Sequence, residues 1–171
     1  ALNLTTADTQ AVLNNCTFII TANDVNITKL EINAEDSEEP LITTEDANNI
    51  YIADNTLTLT NNEDIETRSI KIDGGSDVTI KDTTITTTGP EDDIDYGTDN
   101  NIRSLYLTSI ESTANRLTLD GNNITTKSNE IEPGTHGTIY GIYIHGEDKN
   151  NIATDIEIIN NEITTTGKIY D

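Results

Sequence analysis

One apolar pattern recurs along this chain and constrains the fold more than any other feature. Two aliphatic residues stand two apart, and a third follows five residues later. The pattern reads Val25, Ile27, Ile32, then Ile50, Ile52, Leu57, then Val78, Ile80, Ile85. It returns as Leu117, Leu119, Ile124 and as Ile156, Ile158, Ile163. Its middle members are 25, 28, 39 and 39 residues apart, so the internal register survives insertions of very different length. Survival of register across insertions is expected when each repeat stacks on the one before it. The spacing of two puts the aliphatic side chains on one face of a strand and polar ones on the other.

A second pattern precedes the last three copies: Ile70-Lys71-Ile72, Leu105-Tyr106-Leu107 and Ile142-Tyr143-Ile144. Phe18-Ile19-Ile20 is the matching segment before the first copy, and Leu41-Ile42 a poorer match before the second. Each repeat thus carries three short strands. The expected fold is all-β, a right-handed single-stranded parallel β-helix of about five coils over residues 16–171. Helical periodicity is nearly absent. The exception is Thr6 to Asn14, where Ala7, Ala11, Val12 and Leu13 allow a short helix. Residues 1–15 are therefore read as a cap protecting the first open edge. Asn55, Asn122 and Asn161 each fall two residues before the third aliphatic position. Asparagine tolerates the left-handed backbone of tight corners, and stacked copies can form a ladder. Thr83 and Leu30 interrupt that column.

Composition narrows the function. Nine Lys and Arg oppose thirty-one Asp and Glu, a net charge of −22, which repels nucleic acid and anionic membranes. No apolar run approaches the roughly 18 residues of a membrane span, so no membrane insertion is expected within this segment. Cys16 is the single cysteine; no intrachain disulfide can form, and the residue is expected to pack inward. The chain opens on Ala1 rather than Met, and residues 167–171 look like the start of another coil. Both features read as a single β-helix segment of a longer protein.

Asn-Asn-Ile occurs at Asn48-Asn49-Ile50, Asn100-Asn101-Ile102, Asn122-Asn123-Ile124 and Asn150-Asn151-Ile152. With the Ile-x-Ile segments and the scarcity of basic residues, this resembles the adhesin-like surface proteins of methanogenic archaea, within the pectate-lyase-like β-helix class. The resemblance covers roughly residues 15–171. It implies an extracellular, cell-surface location and a role in adhesion, and it transfers no catalytic residue.

Register from the second pattern aligns outward side chains in columns: Lys71, Tyr106, Tyr143 in one and Asp73, Thr108, His145 in the next. Successive coils place equivalent side chains about 4.8 Å apart, so Tyr106 and Tyr143 would form a platform for a sugar ring. Lys71, Asp73, Tyr106, Tyr143 and His145 are the candidate ligand-binding residues. Residues 89–101, 108–115, 127–137 and 145–155 are the insertions expected to wall this face. Asp93, Asp95 and Asp99, with Gly97 for a sharp turn, form the densest carboxylate cluster and a candidate calcium site. The expected function is a non-catalytic surface-adhesin module binding a glycan or a component of a partner cell. Two other readings stay open. One is a β-helix polysaccharide lyase or glycoside hydrolase, although His136 and His145 sit in incomplete versions of the glycosidase motif and no Arg-x-Lys occurs. The other is a passive stalk.

Overall fold

The computed structural model describes residues 2–6, 9–62, 66–89, 104–131, 136–146 and 153–169. Among them every regular element is a strand, and the strands follow one another in groups of three. The first group is β1 (Leu2–Thr5), β2 (Ala11–Asn14) and β3 (Phe18–Ile20). The second is β4 (Val25–Thr28), β5 (Leu30–Glu35) and β6 (Ile42–Glu45), and the third β7 (Asn48–Ala53), β8 (Thr56–Thr60) and β9 (Thr67–Asp73). The fourth is β10 (Ser76–Lys81), β11 (Thr84–Thr88) and β12 (Ser104–Ser112). The fifth is β13 (Leu117–Asp120), β14 (Asn123–Ile131) and β15 (His136–Ile144), followed by β16 (Ile156–Ile159) and β17 (Glu162–Ile169).

Every strand pairs in parallel with the strands three before and three after it. Sheet A therefore runs β1-β4-β7-β10-β13-β16, sheet B runs β2-β5-β8-β11-β14-β17, and sheet C runs β3-β6-β9-β12-β15. Three parallel sheets stacked in register fit a parallel β-helix solenoid. The aliphatic columns read from the sequence are the observed ones: Val25, Ile50, Val78, Leu117 and Ile156 are direct partners, as are Ile32, Leu57, Ile85, Ile124 and Ile163. Inward side chains of these columns form one core, with Ile27, Ile32, Ile52, Leu57, Ile80 and Ile85 at most 1% exposed, whereas Ile163 in the last strand is exposed.

The short N-terminal helix is a correction. Ala11–Asn14 is strand β2, not helix, and Leu2, Leu4 and Leu13 occupy the same columns as Val25, Ile27 and Ile32. The coil was hidden because nine residues, rather than five, separate Leu4 from Leu13. Cys16 is a second correction: it is exposed, because it follows the left-handed corner at Asn15 (φ 50°) that turns the chain toward β3.

The A–B corners refine the asparagine expectation. The left-handed residue is the one before each ladder position: Lys29, Asp54, Asp82, Gly121 and Asn160 have φ between 45° and 69°. The asparagines themselves turn inward and bond the neighbouring coils. Asn122 Nδ2 donates to Ile80 O (2.9 Å) and its Oδ1 accepts from Thr83 N (3.0 Å). Asn55 does the same with Ile27 O (3.0 Å) and Leu30 N (2.9 Å), and Asn161 donates to Leu119 O (2.8 Å). Thr83 and Leu30 interrupt the amides, yet their backbone N–H groups are the donors that the next asparagine satisfies. No helix of the described residues is long and apolar enough to cross a membrane.

Candidate functional site

The later strands of sheet C are long. β9 has seven residues, and β12 and β15 have nine each. The register within this sheet overturns the predicted columns. Ile70, Ile110 and Ile142 are partners, and so are Lys71, Glu111 and Tyr143. Leu105-Tyr106-Leu107 lies five residues upstream of the matching segment, opposite Gly137, Thr138 and Ile139. Tyr106 and Tyr143 thus stand in different columns. Thr108 falls between Arg68 and Tyr140, not between Asp73 and His145. Residues 108–112, read as part of a loop, belong to β12. The misreading has a physical cause. β12 holds two apolar alternations, and the correctly registered one places a serine, Ser112, where Ile72 and Ile144 point inward.

The corrected register still gathers aromatic side chains on one outer face. The Tyr140 and Tyr143 rings stack with centroids 4.9 Å apart and planes 13° apart. His145 stacks on Tyr143 at 4.8 Å and 26°. Tyr106 meets this pile edgewise, 6.1 Å from Tyr140 and 6.4 Å from Tyr143. Three of the chain's six tyrosines and one of its two histidines are therefore concentrated here. Tyr143 is flanked by rings on both faces, so a sugar cannot lie flat against it as the two-ring platform required. What the cluster offers to a partner is ring edges and phenol hydroxyls.

An ion-pair network lies under the rings. Glu111 points outward but is 9% exposed. Its carboxylate accepts from Arg68 Nε and from the Tyr106 hydroxyl (3.2 Å), and His145 Nε2 lies 3.3 Å from its other oxygen. The Arg68 guanidinium also pairs with Glu66 (2.8 Å) and sits over the Tyr106 ring, 4.8 Å from its centroid. Burial alone would raise the Glu111 carboxyl. The hydrogen bond and charge of Arg68, with bonds from His145 and Tyr106, outweigh burial and hold it below the usual carboxylate range. Burial, then the adjacent Glu111 charge, pushes the Tyr106 phenol well above its ordinary value. Lys71 Nζ pairs with Asp73 (2.9 Å) on the same side of the sheet.

Family models, curated proteins and solved structures give no match to this chain.

Of the predicted ligand-binding residues, the structure brings Tyr106, Tyr143 and His145 into direct contact, with Lys71 next in the Glu111 column and Asp73 paired to it. Sequence reasoning missed Glu111, whose place beside Lys71 and Tyr143 was given to Tyr106, and missed Arg68 and Tyr140, which were placed in no column. A signal was present: Ser69-Ile70, Ser109-Ile110 and Gly141-Ile142 are a small residue followed by isoleucine, and they mark the true register. Asp93, Asp95 and Asp99 lie outside the described residues, as does most of the chain expected to wall the face. Among the described residues no group of three acidic, histidine or cysteine side chains is placed to hold a metal.

Proposed function

We propose that this chain is a right-handed parallel β-helix module of an extracellular surface adhesin, and that the outer face of sheet C engages a glycan or a surface component of a partner cell. The observation that carries this reading is the concentration of Tyr106, Tyr140, Tyr143 and His145 over the Arg68–Glu111 pair, in a chain otherwise poor in aromatic residues. Tyrosine supplies contact area at low entropic cost together with a hydroxyl that discriminates, which suits recognition of polar ligands. The network beneath fixes the rings before a partner arrives, and preorganisation reduces the cost of binding. The strongly acidic surroundings favour neutral or cationic partners over uronate polymers.

Binding is preferred to catalysis because both Glu111 oxygens are engaged and the group is held ionised, which suits a scaffold and not a proton donor. The test has two arms. A glycan array with whole-cell binding controls is expected to return a specific partner. Incubation with pectin, polygalacturonate and xylan, with and without Ca²⁺, is expected to release neither reducing ends nor unsaturated products. Product release would replace this reading with a polysaccharide-cleaving one. An empty array with no cell binding would leave a stalk.

A further inference from the structure

In a regular strand, residues three apart point to opposite faces. Tyr140 and Tyr143 nevertheless stack on the same face, as Arg68 and Lys71 or Thr108 and Glu111 share it in the neighbouring strands. The polarity of sheet C inverts between them. Ser69 and Ile70 are both 0% exposed, and so are Ser109 and Ile110. By register, Gly141 holds the same rung position as Ser69 and Ser109. The stacked rings outside thus depend on two consecutive inward residues at each level.

The first of those inward residues is tied into the core by hydroxyls. Ser69 Oγ lies 2.6 Å from Thr87 Oγ1, Thr87 Oγ1 lies 2.8 Å from Ser109 Oγ, and Ser109 Oγ lies 2.7 Å from Thr126 Oγ1. All four residues are fully buried, and the chain alternates between sheets C and B across three coils. Each hydroxyl can donate once and accept, so the run can be satisfied end to end. Breaking it strands a polar atom in an aliphatic interior, which penalises any backbone shift that separates its members. At the Tyr140–Tyr143 level the side chain is removed altogether: a Cβ on Gly141 would collide with Ile163 Cγ2.

We propose that the buried chain Ser69–Thr87–Ser109–Thr126, continued at the next rung by Gly141, which has no side chain, is a positioning device that sets the ring geometry on the outer face. Thr87, Ser109 and Gly141 are its positioning residues. The consequence for partner binding rests on the function proposed above; the consequence for the rings does not. The test compares Ser109→Ala and Thr87→Val with Ile32→Val, a core change in a distant coil of sheet B. Near-ultraviolet circular dichroism of tyrosine and the ring-current shift of the His145 imidazole are read at a temperature where each variant is fully folded. Ser109→Ala and Thr87→Val are expected to move both signals, whereas Ile32→Val lowers the melting temperature and moves neither. Thr87→Ser keeps the hydroxyl and is expected to retain the wild-type ring signals. Unchanged ring signals in Ser109→Ala and Thr87→Val would overturn the proposal and leave the hydroxyls as core packing. Ring signals that move while affinity for the array hit stays constant would support the positioning role and overturn the binding face instead.

Discussion

The A–B corners and the middle of sheet C solve the same problem in different ways. Both bury polar groups inside an aliphatic core. At the A–B corners, the amides of Asn55 and Asn122 bond backbone groups of the preceding coil, so the chain is stitched to its neighbour where these asparagines stand. In sheet C, serine and threonine hydroxyls bond one another, and the backbone is left free to invert its polarity. The first device repeats a regular shape. The second permits an irregular one, and the irregular place is where the rings collect.

The largest expected effect comes from the regular region. Ile80 is fully buried in the core of sheet A. Ile80→Ala should cost about 2–5 kcal/mol in urea unfolding, through lost burial and a cavity. A much smaller loss would mean that the coil can collapse around the gap, against a closely packed stack.

Asn122→Ala is next. It removes the acceptor of the Thr83 N–H and the donor to Ile80 O inside the corner. An expected cost of about 1–3 kcal/mol follows from leaving those groups unpaired. If unfolding is unaffected, the corner ladder is ornament and the contrast with sheet C fails.

The sheet C network should show itself through pH. The Glu111 carboxyl is held below its ordinary value of 4.5, so its contribution is complete above that value and is lost as pH falls through and below it. The Tyr106 phenol is raised above its ordinary value of 10.0. Its contribution is present below pH 10 and is lost as pH rises, because the unfolded phenol ionises first. Glu111→Gln should cost about 1–3 kcal/mol at neutral pH and flatten part of the acid limb of the stability profile. Tyr106→Phe should flatten part of the alkaline limb. Profiles identical to wild type on both limbs would mean that the network does not hold the face together.

The smallest effect is expected at the surface. Arg116 pairs with Asp77 across adjacent coils of sheet A, both side chains being about half exposed. Arg116→Ala should leave the unfolding midpoint nearly unchanged, as is usual for exposed ion pairs. A clear drop would show that surface pairs hold these acidic stacked sheets together.

These two regions also explain what the sequence makes legible. Val25, Ile27 and Ile32 announce sheets A and B because their inward positions stay aliphatic at fixed spacing in five coils. The first coil escapes notice because the chain between Leu4 and Leu13 is longer. Sheet C was misaligned because an inward serine at 112 hides the rung that Ile72 and Ile144 display. Arg68, Glu111 and Tyr140 were lost with that register, and the ring cluster could not be foreseen from alternation alone. It depends on a polarity inversion that hydrophobic period does not encode.

The binding face itself is tested most directly by comparing two outer surfaces on the array hit. Tyr106→Ala/Tyr143→Ala strips rings from sheet C; Thr58→Ala/Thr86→Ala strips hydroxyls from paired positions on the outer side of sheet B. If each tyrosine contributes on the order of 1 kcal/mol, the sheet C variant should bind tenfold to a hundredfold more weakly, with the sheet B variant unchanged. Wild-type affinity in the sheet C variant, or loss confined to the sheet B variant, would contradict the account.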